Sequence, residues 1–98
     1  MVEKLKEENK GKKLVVYIIS DKKCIPCRRL LLFLKELGYN SNDIQIKDAR
    51  KHKKELLWIT GGRSVVPVIL GSKTGKIMIG CPVDFKEFTS EFKHVISE

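Results

Sequence analysis

The chain opens on thirteen residues that are almost all polar or charged, with Val2 and Leu5 the only apolar positions after Met1. Residues 1–13 read as a charged N-terminal extension, either a short surface helix or a fraying end. Hydrophobic order begins at Leu14-Val15-Val16-Tyr17-Ile18-Ile19, an unbroken β-branched and aromatic run. With no polar alternation it predicts a strand buried on both faces, at the centre of a parallel or mixed sheet. The polar loop Ser20-Asp21-Lys22-Lys23 leaves it. From Arg28 to Leu37, apolar residues at 30, 31, 33, 34 and 37 form a helical stripe; Pro26 suits the first turn and Gly38 the C-terminal cap. Asp43-Ile44-Gln45-Ile46-Lys47 alternates, as a more exposed strand does.

Lys51 to Thr60 predicts a second helix, with Leu56, Leu57 and either Ile59 or Trp58 available for packing; Gly61-Gly62 ends it. A third strand, Ser64 to Leu70, is interrupted by Pro67. Gly71-Ser72-Lys73-Thr74-Gly75 turns it into a fourth, Lys76 to Gly80, as a hairpin. Phe85, Phe88, Phe92 and Val95–Ile96 then mark a last helix between Val83 and Ile96. The order is β-α-β-α-β-β-α, an α/β domain over residues 14–98.

At 98 residues the chain is one domain, near the lower edge of what a single core supports. No apolar run approaches the ~20 residues that cross a bilayer, and the N-terminus has no apolar signal region. A cytoplasmic monomer without membrane contact is expected. Twenty Lys+Arg against twelve Asp+Glu leave a net charge of +8, which brings nucleic acid to mind. The lysines, however, are mixed with glutamates, arginines are few (Arg28, Arg29, Arg50, Arg63) and aromatics are scattered. Nucleic acid is therefore not the expected partner, and the charge reads as a solubilising surface that steers acidic proteins.

Cysteine changes the picture most. Three cysteines, Cys24, Cys27 and Cys81, make an odd count that describes no extracellular disulfide framework. Cys24-Ile25-Pro26-Cys27 falls where a buried strand feeds a helix. A thiol at a helix N-terminus meets unpaired N–H groups and the helix dipole, and Lys22, Lys23, Arg28 and Arg29 add positive potential. Cys24 is then the nucleophile, and Cys27, one turn further on and more shielded, the resolving thiol. A zinc site from these two with Cys81 and His52 or His94 is not expected, because no second ligand pair with the usual spacing exists. His52 and His94 read as surface residues and Trp58 as core. Cys81 reads as a small part-buried residue, with a regulatory disulfide or glutathione acceptance as the alternatives. Pro67 cannot donate to a sheet ladder, so Val66-Pro67 is either a trans proline at a bulge or a cis bond.

The strand before Cys24-Ile25-Pro26-Cys27, the Val66-Pro67 pair and the Gly80-centred turn before the last helix together resemble the thioredoxin superfamily, its glutaredoxin branch most closely. The likeness covers roughly residues 14–96. It implies a thioredoxin fold, a four-stranded mixed sheet flanked by helices, with Pro67 cis, Cys24 as nucleophile and Cys27 as resolving thiol. In glutaredoxins a lysine near the first cysteine, the backbone before the cis-proline and a Gly-Gly-x-x-Asp turn hold glutathione. Lys22 or Lys23 and Val66 match the first two. Ile79-Gly80-Cys81-Pro82-Val83-Asp84 departs from the third, with one glycine and its acid a residue late. It is closer to the turn of the glutaredoxin-like hydrogen donors of ribonucleotide reductase.

Pro26 in the motif is thioredoxin-like, while the thioredoxin tryptophan before the motif is replaced by Lys23 and the buried strand acid is absent. The implied site is Cys24 and Cys27 for chemistry, with Lys22, Lys23, Val66, Pro67, Gly80, Cys81 and Asp84 holding substrate or glutathione. Implied partners are disulfide-bearing client proteins, with glutathione or a thioredoxin-type reductase as electron donor and no resident cofactor or metal. The contrasting expectation is a non-catalytic module that holds an acidic partner, against which two intact motif cysteines argue.

Overall fold

Each stretch of hydrophobic order becomes an element in the computed structural model, which describes residues 13–19 and 24–97. Strand β1 (Leu14–Ile18) leads to helix α1 (Ile25–Glu36), β2 (Ile44–Asp48), α2 (Lys53–Ile59), β3 (Val68–Gly71), β4 (Ile77–Ile79) and α3 (Phe85–Ile96). The extension expected over 1–13 lies outside the described residues except for Lys13. Its N–H donates to the Asp43 carbonyl at 2.8 Å, and its ammonium lies 3.7 Å from the Asp43 carboxylate.

The boundaries differ from the pattern where local chemistry intervenes. Helix α1 starts at Ile25, ahead of Arg28, because Pro26 sits in the first turn, where a missing N–H costs nothing. It closes on Gly38, whose φ of 92° is the left-handed form that glycine takes without penalty. Strand β3 begins only at Val68, after a cis Val66–Pro67 bond. Helix α3 begins at Phe85 because Asp84 serves as its N-cap, the carboxylate accepting from the Glu87 N–H at 3.3 Å.

The four strands form one mixed sheet in the order β2-β1-β3-β4. Strand β1 runs parallel to β2 (Tyr17 opposite Lys47) and antiparallel to β3 (Tyr17 opposite Val68), and β3 is antiparallel to β4. Alternation along β1 sends Leu14, Val16 and Ile18 to one face, where they pack with Cys27, Leu30 and Leu34 of α1 and Phe88, Phe92 and Val95 of α3. Val15 and Tyr17 go to the other face, with Leu56 of α2, Val68 and Leu70. Every residue of β1 is buried, as a strand covered on both sides must be. Each such Leu, Ile or Val side chain contributes about 1.5–3 kcal/mol of transfer free energy. Phe88 stacks on Phe92 with ring centroids 5.5 Å apart, and Phe33 meets Phe88 at 5.2 Å, fastening α1 to α3.

Two side chains overturn the sequence expectation. Trp58 is not core: Leu56 takes the inward position on α2, and the indole is 52% exposed. In β2 it is Lys47 that is buried while Ile46 is 51% exposed. Lys47 faces the α2 side, where its ammonium lies 3.0 Å from the Glu55 carboxylate. The Tyr17 hydroxyl donates to the same carboxylate. A lysine inside a sheet is tolerated because a charged partner waits for it. Among the described residues, no helix is long and apolar enough to cross a membrane.

Candidate functional site

Strand directions gather the predicted residues at one end of the sheet. The C-terminal ends of β1, β2 and β4 and the N-terminal end of β3 meet there, since Ile18 pairs with Asp48 and Val68 with Ile79. Cys24, at the start of α1, packs against the same core cluster as Val66 of the segment before β3 and Cys81 of the segment after β4.

Cys24 occupies the N-cap position of α1 and Cys27 lies in its first turn; the two sulfurs form a disulfide, with Cα atoms 5.3 Å apart. Their exposures differ. Cys27 is 2% exposed and belongs to the core, whereas Cys24 is half-buried at its margin. Cys24 is partly open to approach from outside and Cys27 is not. Helix α1 has no acid in its first turn, so nothing there offsets its N-terminal positive potential.

Pro67 is buried and cis, and Val66 packs against both core clusters at the sheet end. Among the described residues the Val66 N–H and C=O have no hydrogen-bond partner. A backbone edge at a sheet end with both groups unpaired can pair with an extended chain. Gly80 adopts φ 83° and donates to the Pro67 carbonyl at 2.8 Å, which ties the turn to the proline segment. Cys81 packs against the same cluster as Cys24 and Val66, and its thiol lies 3.6 Å from the Pro82 carbonyl. Burial pushes the Cys81 thiol up from its ordinary value, while the Arg29 guanidinium pulls the other way. Asp84 is committed in part to capping α3.

The structure thus brings together Cys24, Cys27, Val66, Pro67, Gly80 and Cys81 and places Asp84 only as the cap of α3; Lys22 and Lys23 lie outside the described residues. Two features escaped the sequence. Arg29, expected only to add potential at Cys24, acts on Cys81, and its buried Nε has no hydrogen-bond partner among the described residues. Beside Val66 lies a cavity of about 350 Å³, walled by Ile19, Ala49, Leu56 and Val65 and rimmed by Arg50 and Lys53. Ile19 just past β1, the β2–α2 connection, α2 and the segment before Pro67 form it, so no single stretch of sequence announces it. Ile25 and Val83 stand 68% and 80% exposed, as apolar shoulders within the Cys24 and Cys81 segments. Among the described residues no three His, Cys, Asp or Glu side chains gather as a metal site.

The architecture is shared with solved structures. A glutaredoxin from Archaeoglobus fulgidus is similar with a TM-score of 0.64 at 23% identity, over 91% of this chain and 90% of that one. A reduced thioredoxin pre-protein from Schistosoma mansoni is similar with a TM-score of 0.50 at 20% identity, over 97% of this chain and 90% of that one. No protein-family model and no curated protein matches the chain. At these identities the likeness establishes the fold: this chain has the thioredoxin fold.

Proposed function

We propose that this thioredoxin-fold protein is a thiol–disulfide oxidoreductase that reduces protein or glutathione mixed disulfides through its Cys24–Cys27 pair. The observation that carries the reading is the pairing of an approachable Cys24 at a helix N-terminus with a buried Cys27 one turn on.

In the reduced protein the helix N-terminus favours the Cys24 thiolate. It attacks one sulfur of the client disulfide, forming a Cys24–client mixed disulfide and expelling the other client sulfur as a thiolate, which takes up a proton. The Cys27 thiol gives up its proton and attacks the Cys24 sulfur. The Cys24–Cys27 bond forms as the second client thiol leaves. Two electrons have passed to the client, and two thiols of this chain have become one disulfide. Burial keeps Cys27 from attacking clients itself, so the order of events follows from exposure.

Val66 supplies the edge on which a client backbone pairs, and Ile25 and Val83 give its side chains an apolar seat. Glutathione fits as the co-substrate that restores the dithiol. The cavity beside Val66 is large enough for part of a tripeptide, and Arg50 and Lys53 at its rim suit a carboxylate. Reducing chemistry of this kind belongs in a compartment that keeps thiols reduced, such as the cytoplasm.

The test is reduction of an insulin disulfide and of a glutathione mixed disulfide, each with glutathione plus its reductase and, separately, with a thioredoxin reductase. Turnover in the wild type and its loss in a folded Cys24→Ser variant are expected, with glutathione supporting turnover. Turnover with thioredoxin reductase alone overturns the glutathione assignment. Inactivity with every donor overturns the enzyme and leaves a binding module.

A further inference from the structure

Residues 50–54 read Arg-Lys-His-Lys-Lys, five basic positions in a row. The acid that follows them, Glu55, does not neutralise this surface, because its carboxylate points inward to Tyr17 and Lys47. Lys51, Lys53 and Lys54 are exposed, and among the described residues none of the three has an ion-pair partner. Four residues beyond Lys54 on the same face of α2 stands Trp58, 52% exposed. Tryptophan is among the residues that most often anchor an interface. A small domain that leaves its only tryptophan in water, beside unpaired lysines, presents a surface suited to a partner.

The location identifies the partner. Residues 50–55 shape a shallow cavity of about 340 Å³, and Arg50 and Lys53 also line the cavity that reaches Val66. A chain lying along α2 is thereby led to the backbone edge before Pro67, where Val66 packs against the same core cluster as Cys24. A polyanion without sulfur gains nothing from that continuity, whereas a protein with a disulfide does. The face is short as well: seven residues of helix span about 10 Å, enough for a few carboxylates but little of a duplex backbone.

We propose that the surface formed by Lys51, in the turn before α2, and by Lys54 and Trp58 of α2 docks an acidic segment of the disulfide-bearing client, the ammonium groups meeting its carboxylates and the indole covering its apolar flank. The proposal rests on the oxidoreductase reading and adds the client's charge to it.

Two disulfide peptides, identical except that Glu residues flanking the cysteine in one are Gln in the other, test it on the full chain. The reduced protein should reduce the Glu peptide at least ~10-fold faster at low salt, an advantage that shrinks as salt screens it. A Lys51→Glu/Lys54→Glu variant should lose that preference while reducing a small uncharged disulfide at the wild-type rate. Binding is read independently by the emission of Trp58, titrated with a cysteine-free Glu peptide: a saturable, salt-sensitive change is expected in the wild type and none in the variant. Equal rates for the two peptides, or tighter binding of an oligonucleotide than of the Glu peptide, overturn the docking face. If no disulfide is reduced, the oxidoreductase reading fails, and the Trp58 titration alone then upholds or overturns the acidic docking face.

Discussion

The Pro67 carbonyl accepts a hydrogen bond from the Gly80 N–H at 2.8 Å, joining the segment before β3 to the turn after β4. Val66 precedes one partner of this bond and Cys81 follows the other, so the bond holds together the two segments that carry them, both packed against the same core cluster as Cys24. Gly80 makes this bond with φ at 83°.

Two glycines separate backbone strain from steric exclusion. A Cβ on Gly80 meets nothing within 4 Å, so Gly80→Ala is opposed by the left-handed backbone alone, at about 1–2 kcal/mol. A Cβ on Gly71 falls 2.5 Å from the Val95 carbonyl and 2.7 Å from the Thr74 hydroxyl, groups that hydrogen-bond to each other across the hairpin and α3. Gly71→Ala should be the more damaging in urea unfolding, by roughly 2–3 kcal/mol. Gly80→Ala should remain folded but reduce disulfides more slowly.

Removing the partner of a buried charge should cost more than removing the pair. Glu55→Ala strips the carboxylate from the Lys47 ammonium and the Tyr17 hydroxyl, and unfolding free energy should fall by roughly 3 kcal/mol. The double variant Lys47→Met/Glu55→Leu should recover much of that loss in the same urea titration.

Asp84 invites a comparison of charge with shape. Asp84→Ala removes the α3 cap at about 1 kcal/mol, and Asp84→Asn keeps it, since both amide and carboxylate cap well. If the carboxylate also meets the glutathione ammonium, both variants should raise the KM for glutathione, and only the alanine should lower the thermal midpoint. An asparagine variant with an unchanged KM would confine Asp84 to the cap.

Cys81 should be a slow thiol. In the oxidised protein it is the only free cysteine, and burial lifts its titration above the ordinary value. Its iodoacetamide alkylation should be slower than that of a free thiol peptide near neutrality and rise only on the alkaline side. Arg29→Gln should slow it further, because the guanidinium is what favours the thiolate. The folded thiol holds its proton more tightly than the unfolded one. Its contribution to stability is therefore intact below the unfolded pKa and lost as pH rises towards the folded one.

Much of the fold was legible because burial imposes periods. An unbroken Leu14–Ile19 run could only be a strand covered on both faces, and phenylalanines at 85, 88 and 92 could only share one side of a helix. The Cys24-Ile25-Pro26-Cys27 motif was legible because its chemistry is local: two thiols one turn apart need only a helix beneath them. Lys47 and Trp58 were misread by the same logic. Their surroundings come from other elements, Glu55 and Tyr17 in one case and the inward turn of Leu56 in the other.

The sequence by itself determined the element order, the thiol pair and the proline beside them, since each follows from side-chain type and spacing along a few residues. Tertiary structure decided that Val66 and Cys81 pack against the same core cluster as Cys24 at one sheet end, that Arg29 acts on Cys81, and that the basic run leading into α2 adjoins the Val66 cavity. Those relationships depend on strand direction and on which helix face turns inward, quantities set by the packing of the whole chain against itself.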